Sequence, residues 1–106
     1  MIDWSRVDDL RDEVGAEDFR EVVDLFLDEV DEVIERMKRH PTQSSVEEDL
    51  HFLKGSSLNL GFAAFSSLCA AGERAARNGD AKTVDLGQIF DAYAQSRDAF
   101  VAKVVL

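Results

Sequence analysis

Apolar residues recur at helical spacing along almost the whole chain, and nowhere does strict polar/apolar alternation run between turn residues. A stripe repeating about every 3.6 residues buries one side of a helix and cannot line one face of a strand, so an all-α fold is predicted. The breakers are few and well separated. Gly15 stops a short first segment, about Asp3 to Val14, which carries Trp4, Val7, Leu10 and Val14 on one side. A second segment has the clearest stripe, including Phe19, Val23, Phe26, Val30, Ile34 and Met37, and His40-Pro41 closes it. A third begins near Ser45, with Glu48 placed for a capping box, and ends at Gly61. The fourth, about Ala63 to Arg77, is rich in small residues and stops at Asn78-Gly79, and the last covers most of 81–104. Four long amphipathic helices with short connections pack most simply as an antiparallel bundle, with the short N-terminal helix across one end. At 106 residues, with no repeat, low-complexity tract or linker, residues 1–106 are expected to form a single domain.

Charge narrows the partners. Lys and Arg number 12 against 22 Asp and Glu, a formal net charge of -10. Such a field repels phosphate backbones and anionic lipid, so neither nucleic acid nor a membrane surface is expected as a partner. The lone Cys69 allows no internal disulfide and fits a reducing compartment, and no apolar run approaches membrane-spanning length. A soluble cytoplasmic protein is the expectation, and nothing in the pattern demands more than a monomer.

The stretch HFLKGSSLNLG, from His51 to Gly61, carries the chemistry. Residues three and four apart share a helix face, so Lys54 and Gly55 stand one turn beyond His51. Core positions Val46, Leu50, Leu53, Ser57 and Leu60 fall on a different stripe, leaving His51 at a half-exposed groove edge. A cation beside an imidazole discourages a second positive charge. It makes sense if the imidazole is to carry a strongly negative group, such as a phosphoryl group. The next helix offers a partner: in an antiparallel hairpin turning at residue 62, His51 and Glu73 are equidistant from the turn. A carboxylate at that height can accept Nδ1–H and leave the Nε2 lone pair outward as a nucleophile. Lys54 can then stabilise the phosphoryl oxygens, and Gly55 removes a side chain where a donor approaches. In a helix interior glycine costs about 1 kcal/mol relative to alanine, easier to accept where a partner needs the space.

These residues resemble the histidine-containing phosphotransfer (HPt) domains of phosphorelays. In that family the phosphorylated histidine is followed by a leucine two residues on, Lys-Gly, two small Ser or Ala residues, and a Leu-Gly pair. Here His51, Leu53, Lys54, Gly55, Ser56, Ser57, Leu60 and Gly61 fill every position. Family members often continue with a cysteine and an acidic or amide residue on the next helix, here Cys69 and Glu73. One departure is Gly72, where a bulkier apolar residue is common. The resemblance implies a phosphorelay carrier that takes a phosphoryl group on His51 from the aspartate of a response-regulator receiver domain, or from a sensor or hybrid histidine kinase, and passes it to another receiver. No cofactor is expected in this chain; Mg2+ is expected on the receiver, because positioning and charge neutralisation dominate such transfers. With no glycine-rich nucleotide loop, the chain is not expected to be a kinase or a phosphatase, and a free-standing shuttle is the expectation for 106 residues starting at Met1.

Blander readings compete. Val7 and Leu10 read first as core contacts of the short helix, but with Leu58 and Phe62 near His51 they could form an apolar docking rim comparable to the surface on which family members seat receivers. Ser56 and Ser57 suit packing and local backbone hydrogen bonds, and His40 a surface turn. A docking adaptor that binds receiver or kinase domains without transferring anything is the alternative function, although it has no need of His51, Lys54 and Gly55 together. Metal binding would need Glu-x-x-His pairs on facing helices, and only Glu48 and His51 have that spacing.

Overall fold

A computed structural model describes residues 2–40 and 45–104. Among them every regular element is helical: α1 (Trp4–Val14), α2 (Ala16–Arg39), α3 (Val46–Asn59), α4 (Ala63–Arg77) and α5 (Leu86–Val104), with a 3-10 turn at Ala81–Thr83 before α5. Helices α2 to α5 form the bundle and α1 packs on α2 and α3. Each boundary has a local cause. The Asp3 side chain accepts the Arg6 amide at the start of α1, and Gly15 ends it at φ 88° while donating to the Arg11 carbonyl. Glu17 and Asp18 open α2 and Arg36, Lys38 and Arg39 close it, each sign at the dipole end that favours it. The Pro41 stop lies outside the described residues. At α3 no capping box forms: Ser45 stands at φ -107° and ψ 0° and makes no side-chain cap, while Glu47, Glu48 and Asp49 supply the favourable first-turn charge. The last helix starts later than its apolar pattern suggests. Val84 is extended, and the Asp85 carboxylate accepts the Gln88 amide at 3.0 Å, which fixes the start at Leu86.

Phe19, Val23, Leu27, Val30, Ile34 and Met37 are the inward stripe of α2, meeting Leu50 and Leu53 of α3 and Phe65 and Cys69 of α4 in one core. Phe62 is fully buried; its ring meets Phe100 edge-on at 5.3 Å, and Phe65 lies 5.2 Å from Tyr93. Two glycines set the geometry around the α3–α4 hairpin. Gly61 stands at φ +79°, and a Cβ there would come within 2.6 Å of the Asp3 carbonyl. The Asp3 amide donates to the Gly61 carbonyl at 2.7 Å, which ties the start of α1 to this turn. Gly72 lets α4 approach α3 and α5: its missing Cβ would lie 2.8 Å from Leu50 Cδ1 and 3.2 Å from Val84 Cγ1.

Polar clamps finish the bundle. Arg97 and Tyr93 on α5 both reach Asp31 on α2, with the Tyr93 hydroxyl donating at 2.5 Å. Arg36 makes a two-pronged pair with Asp49 at the foot of α3.

Candidate functional site

Helix α3 buries Val46, Leu50, Leu53 and Ser57 and so turns His51, one position past Leu50, outward. The His51 side chain is 69% exposed. Facing it from α4, Glu73 is only 4% exposed, and three side chains, His51, Lys54 and Arg77, converge on its carboxylate. His51 Nδ1 lies 2.8 Å from Oε2, Lys54 Nζ lies 2.8 Å from Oε1, and Arg77 Nη2 donates to Oε2 at 2.7 Å. A buried carboxylate is tolerable only when paired and hydrogen-bonded, and this one is. The Lys54 ammonium holds the Glu73 carboxyl below the ordinary carboxylate range, and the His51 hydrogen bond adds to it, against the opposing effect of burial. An ionised carboxylate can only accept, so a neutral imidazole here carries its proton on Nδ1 and keeps the lone pair on Nε2.

A phosphoryl acceptor needs an accessible imidazole nitrogen, fixed in tautomer, with cations at hand. The site has that form. A family model of the Hpt domain matches residues 21–99. The chain belongs to the Hpt domain family. No curated protein and no solved structure matches it. Hpt domains are histidine-containing phosphotransfer domains of two-component phosphorelays, carriers that interact with receiver and kinase domains and lack kinase activity of their own.

In this Hpt domain the sequence-predicted residues divide in two. His51, Lys54 and Glu73 come into direct contact, and Gly55 lies one turn along the same face with nothing within 4 Å of an added Cβ. No internal packing therefore asks for glycine at 55. Leu58, one turn further, is 53% exposed, and Phe52 beside His51 is also an exposed large apolar residue. Val7, Leu10 and Phe62 do not join the expected docking rim. They are 2%, 4% and 0% exposed and belong to the core, because α1 lays its apolar side on α2 and α3 and the Phe62 ring turns in towards Phe100. Ser57 is structural: its hydroxyl donates to the Leu53 carbonyl and lies 2.7 Å from the buried Ser66 hydroxyl. Cys69 is buried beneath the site, and burial first, then Glu73, pushes its thiol up to about 12, which leaves it inert.

Arg77 is the residue that reading the sequence missed. It lines the same groove as His51, Glu73, Glu47 and Glu48, and its Nε lies 3.5 Å from Glu47 Oε2. The i,i+4 spacing of Glu73 and Arg77 was a usable signal, since such pairs meet on one helix face. The Glu48–His51 spacing finds no completion: among the described residues no three His, Cys, Asp or Glu side chains are grouped to hold a metal ion. Nor, among them, is any helix long and apolar enough to cross a membrane.

Proposed function

We propose that this Hpt domain accepts a phosphoryl group on Nε2 of His51 from the aspartyl phosphate of a receiver domain, or from a hybrid histidine kinase, and passes it to another receiver. The observation that carries this reading is the hydrogen bond that His51 Nδ1–H donates to the buried, ionised Glu73 carboxylate, from a ring whose other edge is open. Lys54, a turn from His51 and paired with Glu73 Oε1, neutralises the phosphoryl oxygens; Gly55 leaves room for the donor's active-site rim; Leu58 and Phe52 give that rim apolar surface to dry the contact. The chain contributes positioning and the nucleophile. Mg2+ comes with the receiver, and no cofactor belongs to this chain. The whole chain acts as one Hpt unit, a monomer in the cytoplasm.

The deciding experiment is phosphoryl transfer from receiver domains of the source organism, each charged beforehand by a small phosphodonor. The label on this chain should be acid-labile and alkali-stable, as a phosphoramidate is, and should vanish in His51→Gln. Binding of a receiver with no labelling from any would instead assign the docking-adaptor role.

A further inference from the structure

Glu73 Oε2 is asked to serve two donors. His51 Nδ1 lies 2.8 Å from it and Arg77 Nη2 2.7 Å, while Lys54 has Oε1 to itself. Arg77 is 57% exposed and has a second anchor in Glu47 across the groove, so its hold on Oε2 is adjustable rather than locked by packing. Taking the proposed function as given, we infer that Arg77 is a positioning residue that sets how tightly Glu73 holds the Nδ1–H of His51, and through it how readily the phosphoryl group moves on.

The transfer step shows why that oxygen matters. The Nε2 lone pair forms the N–P bond as the aspartyl O–P bond breaks, and the departing electron pair stays on the receiver's carboxylate. No proton moves. The ring keeps its Nδ1–H and becomes a phosphoimidazolium, so positive charge grows beside Glu73 Oε2 during acceptance and fades during onward transfer. A carboxylate oxygen devoted to Nδ1–H stabilises that charge most; one shared with a guanidinium stabilises it less, because both donors draw on the same lone pairs and the two cations repel. Arg77 acts from the Nδ1 side of the ring, through the carboxylate. With Arg77 in place the phosphorylated state is held less firmly, as suits a carrier that must give up what it accepts.

The variants Arg77→Gln, Arg77→Lys and Glu47→Gln test this, the last because freeing Arg77 from Glu47 commits it to Glu73. Two readouts are needed: the equilibrium fraction of His51 phosphorylated against a charged receiver, and the imidazole Nδ1–H proton resonance of the unphosphorylated protein. Arg77→Gln should raise the phosphorylated-to-free ratio by about threefold or more, slow onward transfer and move the resonance downfield, the mark of a stronger hydrogen bond. Arg77→Lys should return both towards wild type, and Glu47→Gln should shift them the opposite way. A lower phosphorylated fraction in Arg77→Gln would overturn the inference, showing Arg77 to contact the phosphoryl group directly. An unmoved resonance would overturn it as well. If wild type accepts no label at all, the proposed function fails, and the resonance still decides whether Arg77 governs the Glu73–His51 bond.

Discussion

Gly72 stands against Leu50 with no space for a side chain between them, and these two residues immediately precede Glu73 and His51. The close approach of α4 to α3 at that point is what brings a buried carboxylate within 2.8 Å of the imidazole. Leu50 is itself fully buried and cannot yield cheaply. Replacing Gly72 with Leu should therefore cost about 1–3 kcal/mol by overpacking and push Glu73 off His51. Urea midpoints together with His51 labelling check both halves; a stable variant that labels at the wild-type rate would contradict the packing argument.

His51→Gln should abolish phosphoryl acceptance while changing stability by no more than about 0.5 kcal/mol, because the exposed ring contributes little to the core. A matched pair of thermal melts and transfer assays is sufficient.

Gly55 separates stability from transfer more sharply. An added Cβ meets nothing within 4 Å, so Gly55→Ala should stabilise the helix by up to about 1 kcal/mol through propensity alone. Gly55→Gln should slow transfer from a receiver severalfold with no loss of stability. Unchanged transfer in Gly55→Gln would remove the steric role.

Glu73→Gln keeps the shape and loses the charge. The difference between a charge-assisted and a neutral hydrogen bond, roughly 1.4 kcal/mol, predicts about tenfold slower acceptance. The pH dependence has a definite sign. Glu73 titrates lower in the folded protein than its ordinary value, so its contribution to stability is present above the unfolded value, about 4.3, and is lost as pH falls through the lower folded value. The stability advantage of wild type over Glu73→Gln should accordingly shrink below about pH 4.3. An advantage that grew as pH fell below about 4.3 would rule out a carboxylate stabilised by Lys54 and His51.

Phe62 and Leu58 offer a contrast of roles. Phe62→Ala should cost about 3–5 kcal/mol, since it empties the ring position packed on Phe100 and Tyr93. Leu58→Ala, at an exposed position, should leave stability within about 0.5 kcal/mol and weaken receiver binding. Isothermal titration with a receiver domain and denaturant melts distinguish the two.

The helical periodicity and its glycine stops were enough to determine an all-α bundle with α1 as an extra element, and the spacing of His51, Lys54 and Gly55 was enough to place them on one face, because both follow from local helix geometry. Hairpin symmetry set Glu73 level with His51, but whether the two touch was left to the packing of α4 on α3. Other features depended on distant parts of the chain meeting. Apolar residues on α1 and at Phe62 mark surfaces that want covering, but only the packed bundle decides whether α1 and Phe100 or a partner covers them. The 3-10 turn before α5 was hidden because Ala81, Val84 and Leu86 keep an apolar pattern through a segment whose backbone is committed to the Asp85 cap. Arg77 sits at helical spacing from Glu73 in any reading of the sequence. That it shares one oxygen with His51 was decided only by the tertiary structure, since a carboxylate's choice among His51, Lys54 and Arg77 is set by where α3 lies against α4, and Gly72 sets that distance.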